Sequence, residues 1–149
     1  MYVGTQVEAP KAFVSIKGEV NEIKTRPLKS DKSLTVVTSR RHGKGSDSNL
    51  FTTLAKYFDP IETQTIGSSI KFCLVASGSV DLYPRLAPTS EWDTAAAQAV
   101  VESAGGAVVD FSLRPLRYNA KRNLLNPNFL VVGDKNFPLA HVLDDYTTH

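Results

Sequence analysis

The chain has 149 residues, 42% hydrophobic and 21% charged, which suits one globular domain large enough to bury a core. A net charge of +2 makes no electrostatic case for nucleic acid or an anionic membrane as partner, and no apolar run approaches the ~20 residues that span a bilayer. The single cysteine, Cys73, excludes an internal disulfide and a cysteine-rich metal centre. Within "FCLVA" it reads as a buried, inert thiol. The start, "MYVGTQVEAPKAF", carries neither a basic leader nor an apolar signal core, so a cytoplasmic location is expected, with inner-membrane association left open.

In chain order, "AFVSIKG" and "EVNEIKT" predict two β segments about a turn near Gly18. "SLTVVTS" (33–39) predicts a buried strand that empties into the basic loop of Arg40, Arg41, His42 and Lys44. Asp47 or Ser48 then caps a helix with Leu50, Phe51, Leu54 and Phe58 on one face, ended by Pro60. "IETQTIG" is a strand. Ser68 and Ser69 follow as caps of a second helix, its inner face formed by Ile70, Leu74 and Val75, and Gly78 closes it. "VDLYPRL" is a short strand that Pro84 assigns to an edge or a strand end. A third helix spans about Asp93 to Ala104, with Ala96, Ala99, Val100 and Ser103 on one side and Gly105 and Gly106 as its stop. "AVVDF" and "FLVVG" are strands, and "LAHVLDDY" is a last helix. Alternation of strand and helix predicts a layered α/β domain.

Three strand-to-helix junctions carry polar groups: "TSRRH", "IGSSIK" and "EWD". Helix starts expose unpaired amides, so each is a seat for an anion. Ser68 is either a phosphate contact or a plain cap. Lys71, one turn on, either neutralises a phosphate or lies in solvent. Arg85 suits bidentate phosphate binding or pairs with Asp81 or Glu91 on the surface. His42 either donates to a phosphate or is solvated. Asp93, beside the only tryptophan, is by its position a cap or dipole partner. A lone carboxylate is too little for Mg²⁺, which takes an octahedron of oxygens. Glu91 stands on the other side of Trp92.

The stretch "GSSIKFCLVASGSVDLYPRLAPTSEWDTAAAQAVVESAGGAVVD" (67–110) closely resembles the C-terminal half of bacterial 3'(2'),5'-bisphosphate nucleotidases. These belong to the inositol monophosphatase superfamily of metal-dependent, lithium-sensitive phosphatases. The resemblance continues through "VTSRRH" upstream and "PLRYNAKRNLLNPNFLV" downstream. It implies a layered sandwich of mixed sheet and helices, corresponding to the C-terminal half of that fold, across residues 1–149. It further implies that Asp93 is a metal ligand close to substrate, and that Ser68, Lys71, Arg85 and, less securely aligned, His42 contact the nucleotide and its phosphates. The implied reaction is Mg²⁺-dependent hydrolysis of adenosine 3',5'-bisphosphate to AMP and phosphate, in the clearance of a by-product of sulfate assimilation. Inositol monophosphate is the alternative substrate.

Two departures stand out. Ala97 occupies a position where the family commonly has glycine, a change that favours a helix interior by about 1 kcal/mol. The larger one is that the family's metal-binding glutamate and its Asp-Pro-Leu/Ile-Asp-Gly-Thr loop are absent from this sequence. "FDPIETQ" (58–64) lacks the Gly-Thr and reads as a helix-to-strand turn. The expectation is therefore a substrate-binding half with an absent N-terminal metal-binding domain, inactive alone, that self-associates or meets a separate N-terminal half. The contrasting expectation is a non-catalytic interaction module that keeps the fold.

Overall fold

A computed structural model describes residues 1–6, 9–39 and 48–148. The first strands, β1 (Tyr2–Thr5), β2 (Lys11–Ile16) and β3 (Glu19–Ile23), form an antiparallel sheet in the order β1-β2-β3. β1 escaped the reading of the sequence. The β2–β3 turn is the expected one: Lys17 and Gly18 both take positive φ, 50° and 89°, which is the two-residue hairpin geometry whose twist matches the strands it joins.

The second sheet holds β4 (Leu34–Thr38), β5 (Ile61–Thr65), β6 (Leu82–Arg85), β8 (Ala107–Asp110) and β10 (Phe129–Val132), in the order β5-β4-β6-β10-β8. β4 runs parallel to β5 and β6, whereas β10 is antiparallel to β6 and β8. Short β7 (Thr89–Ser90) and β9 (Leu125–Asn126) pair separately. The helices are α1 (Ser48–Leu54), α2 (Ile70–Ala76), α3 (Glu91–Ser103) and α4 (Leu139–Thr147).

Strand alternation sorts the core into two halves. Val37, Tyr83, Val108, Phe129 and Val131 face one way, into a cluster completed by Phe72 and Val75 of α2 and Val100 and Val101 of α3. Leu34, Val36, Leu82, Leu130 and Val132 face the other way, toward Leu50 and Leu54 of α1 and Val142 and Leu143 of α4. The β1–β3 sheet lies outside α3. There Gly4 approaches so closely that an added Cβ would be 2.8 Å from Ala99 O and Val100 Cα. The result is four layers, sheet, helices, sheet, helices, as the α/β expectation required.

Several details differ from the sequence reading. β6 is the middle strand of its sheet, not an edge. Pro84 is tolerated because β4 meets β6 at the single pair Val36↔Leu82, before the proline. α1 ends at Leu54, short of Pro60, although Phe58 is buried beyond it as expected. In α2 the inward residues are Lys71, Phe72, Val75 and Ala76, while Ile70 is exposed. In α3 they are Glu91, Thr94, Gln98, Val100, Val101 and Ser103, and Ala96 faces solvent. Cys73 is half-buried, and burial pushes its thiol pKa up. Asp47 and the basic loop fall outside the described residues.

The two glycines after α3 divide the labour. Gly105 takes φ +103°, and its N–H donates to Glu102 O while that of Gly106 donates to Val101 O. This paired closure satisfies the helix's last carbonyls. Gly106 serves packing as well: a Cβ there would sit 2.6 Å from Val132 O.

Candidate active site

The parallel strands β4, β5 and β6 end on the same side of their sheet, the place where α/β folds open a crevice. There lies a cavity of about 560 Å³, lined among others by Ser39, Ser68, Lys71, Tyr83, Arg85, Trp92 and Asp93. Four of the five residues singled out from the sequence therefore converge on one site. His42 lies outside the described residues.

Lys71 is the most altered by its surroundings. It is 3% exposed, not the solvated surface lysine that its residue type suggests. Its ammonium donates to Ser68 O at 2.6 Å and Ile66 O at 3.2 Å, and stands 5.0 Å from the centre of the Tyr83 ring. Carbonyl dipoles and a ring face compensate the desolvated charge. The carbonyls are presented by a turn in which Ser68 takes φ +66°. Tyr83 is itself packed edge-on against Phe72 and Phe129, and burial pushes its phenol pKa up.

Neither serine caps α2 in the expected manner. Ser69 is already helical in φ and ψ with no side-chain cap bond, and Ser68 Oγ accepts only a long 3.4 Å bond from the Ile70 N–H.

Arg85, at the end of β6, forms none of the surface ion pairs considered for it. Asp81 is taken by Arg26, and Glu91 by Lys121. The Arg85 guanidinium instead donates to Ser39 Oγ at 2.8 Å, Ala87 O at 3.2 Å and Pro88 O at 3.4 Å. Neutral acceptors orient the fork and leave its charge available to an anion.

Asp93 is exposed on the first turn of α3, at the cavity wall. Its Oδ2 accepts the Ser90 N–H at 2.9 Å, so it is a cap, as its position suggested, and a cavity residue at once. Oδ1 has no hydrogen-bond partner among the described residues. Glu91 points away: Lys121 Nζ and the Asn119 N–H both donate to its carboxylate, which holds its pKa below the usual value.

A clamp behind this turn was not legible in the sequence. Asn126 is buried, and its amide donates to Thr89 Oγ1, Ser90 O and Thr94 Oγ1 at 2.9–3.1 Å. Tyr118 donates to Gln98 at 2.5 Å on the same inner face. These contacts join residues some 20–37 apart in the chain, so no local spacing announces them.

Among the described residues, no three His, Cys, Asp or Glu side chains gather into a group that could hold a metal ion. Asp93 offers one oxygen where magnesium takes an octahedron. By themselves, these residues do not make a magnesium site.

Layered mixed-sheet architecture, with a charged cavity at the carboxyl ends of parallel strands, places the protein among α/β folds that carry their ligand site on strand ends. Within that class the chain belongs to the inositol monophosphatase family, whose match covers residues 5–140. It is 37% identical over 131 residues to the 3'(2'),5'-bisphosphate nucleotidase CysQ of Escherichia coli K12, covering 88% of this chain and 49% of that protein. The crystal structure of CysQ from Bacteroides thetaiotaomicron superposes with a TM-score of 0.72 at 33% identity, over 88% of this chain and 52% of that one. An inositol monophosphatase from Zymomonas mobilis shares the fold, with a TM-score of 0.66 at 21% identity over 93% of this chain and 53% of its own. The chain thus spans about half the length of the curated relatives it matches.

Proposed function

We propose that this chain is the substrate-binding half, corresponding to the C-terminal domain, of a phosphomonoesterase that hydrolyses adenosine 3',5'-bisphosphate to AMP and phosphate. The observation that carries the reading is the convergence on one cavity of a buried lysine, a carboxylate, and an arginine that has no carboxylate partner among the described residues. Arg85 and Lys71 attract and orient phosphate, Ser68 contributes its hydroxyl, and His42 is the further candidate contact. Asp93 contributes one oxygen to a magnesium centre whose other ligands come from residues outside this sequence. Such ions supply charge neutralisation and water activation to phosphate ester hydrolysis.

Calorimetric titration of the chain with adenosine 3',5'-bisphosphate, set beside inositol monophosphate, tests the reading. Nucleotide binding is expected, and Arg85→Ala weakens it by roughly 10- to 150-fold, as loss of charge-assisted hydrogen bonds of ~1.5–3 kcal/mol requires. Undiminished affinity in that variant refutes the phosphate role. Phosphate release by the chain alone at ordinary enzyme rates, ~1–10³ s⁻¹, refutes the incomplete magnesium centre.

A second reading, a non-catalytic interaction module, draws on the exposed Val3, Ile16 and Val20 of the first sheet and the exposed Met1 beside it. Those side chains also support self-association. A firm oligomer with no nucleotide binding favours the module. Among the described residues no helix is long and apolar enough to cross a membrane.

A further inference from the structure

β6 sets two of the cavity's side chains on one face. Side chains alternate along a strand, so Tyr83 and Arg85 point the same way, while Leu82 joins the opposite half of the core. Tyr83 is 3% exposed, and its ring is fixed edge-on against Phe72 and Phe129, at 5.5 Å and 6.1 Å between centroids. The Lys71 ammonium stands 5.0 Å from the centre of the same ring. The phenol oxygen lies beside Ser39 and Arg85. Burial pushes its pKa up, and the Ser39 hydroxyl and the Arg85 guanidinium pull against that rise without reversing it. Ser39 Oγ in turn accepts Arg85 Nη1 at 2.8 Å. The guanidinium's other two acceptors, Ala87 O and Pro88 O, lie just beyond it in its own segment. Ser39, beside Tyr83, thus ties the fork to the end of a second strand, β4.

We propose that Tyr83 is a positioning residue for the anion site: through its hydroxyl and Ser39 it holds the Arg85 guanidinium in place at the cavity wall. The proposal rests on the phosphate role given above to Arg85. A phenol suits the task. It is neutral at physiological pH, so it orients the fork and leaves the charge to the ligand, where a carboxylate would pair with it. Because the ring is already fixed, the guanidinium is ordered before a phosphate arrives, and that ordering cost is absent from the binding step. Without the hydroxyl the fork keeps the two carbonyls of its own segment and loses part of its restraint from β4. The phosphate must then order it, and affinity falls. Tyr83 needs no contact with substrate to do this.

The test is a double-variant cycle on the chain, read by calorimetric titration with adenosine 3',5'-bisphosphate. Tyr83→Phe, which keeps the ring, is expected to weaken binding roughly 2- to 13-fold, the scale of one hydrogen bond. Ser39→Ala, which cuts the same tie from its other end, is expected to do likewise. Neither weakens binding further once Arg85 is alanine, because no fork is left to direct. A merely structural tyrosine would lower affinity by the same factor in the Arg85→Ala background, and that result overturns the proposal. So does unchanged affinity in Tyr83→Phe where Arg85→Ala still weakens binding; the phosphate site then stands without a positioning tyrosine. Nitrogen relaxation at the Arg85 Nε–H reads the tether with no ligand present. Both Tyr83→Phe and Ser39→Ala are expected to raise picosecond-to-nanosecond mobility there, and unaltered relaxation in Tyr83→Phe overturns the positioning role. If the unaltered chain binds no nucleotide, the phosphate reading fails, while the relaxation result still decides whether Tyr83 holds Arg85.

Discussion

Replacing Asp81 with alanine removes the tie that seats the middle strand of the main sheet. Asp81 immediately precedes β6, and its side chain is 2% exposed. Its carboxylate accepts Arg26 Nε at 2.6 Å, Arg26 Nη2 at 2.8 Å and the Thr35 N–H at 2.7 Å. Its own backbone adds bonds to Thr35 O at 2.9 Å and from Gly133 N at 3.0 Å, which join β4 and the end of β10. Alanine keeps the backbone bonds, strands the guanidinium and leaves the buried Thr35 amide without its acceptor. Breaking a buried pair costs ~3–5 kcal/mol. The Arg26 side chain retains 28% exposure and recovers some hydration, so the lower end applies, about 3 kcal/mol. At ~2–4 °C per kcal/mol for a domain of this size, Tm falls by roughly 6–12 °C. Urea and thermal unfolding followed by circular dichroism measure this. The double variant Arg26→Met/Asp81→Leu, which removes both charges, is expected to lose less than Asp81→Ala alone. A single-variant loss below about 1 kcal/mol, the scale of an exposed pair, or a double variant no better than the single, refutes the reasoning.

Acid unfolding should engage Glu91. Lys121 and the Asn119 amide hold its folded pKa below the ordinary 4.5, so its stabilisation is complete above that value and is lost as pH falls through the lowered one. Thermal melts from neutral pH downward are expected to fall more steeply below 4.5 for the unaltered chain than for Glu91→Gln, and parallel curves would contradict this. Gly106→Ala, forced to within 2.6 Å of Val132 O, is expected to cost ~1–3 kcal/mol through overpacking. A chemical denaturation midpoint unchanged by that substitution would show that β10 and α3 yield at no cost.

The order of the main-sheet strands and the helices was legible because β4, β6, β8 and β10 are short, largely buried runs between turn residues, and β5, though polar and exposed, is β-branched; the short β1, β7 and β9 were not read from the sequence. The helix faces were less legible. Hydrophobic periodicity places Ile70 inside and leaves Lys71 outside; the structure reverses both, because Ile66 O, Ser68 O and the Tyr83 ring together accommodate an ammonium. α3 buries Glu91, Thr94 and Gln98, polar side chains that no apolar pattern counts, each satisfied by a partner on its own helix or in the loop before β10. Pro84 argued against a central position for β6, and it fits there only because pairing with β4 ends before it. Of the site, Ser68, Lys71, Arg85 and Asp93 were reached through family resemblance rather than spacing. Asn126 and Ser39 were missed, since their roles arise from contacts between distant parts of the chain.

The approach of Gly4 to the backbone of Ala99 and Val100 has a consequence for how the chain is made. The strand of Gly4 precedes in the chain, by some 95 residues, the helix against which it closes, and is translated before it. At ~5–20 residues per second that is a wait of roughly 5–20 s. Through that interval the β1–β3 hairpins have no helix to rest on, and a chaperone can shelter the face that α3 later covers.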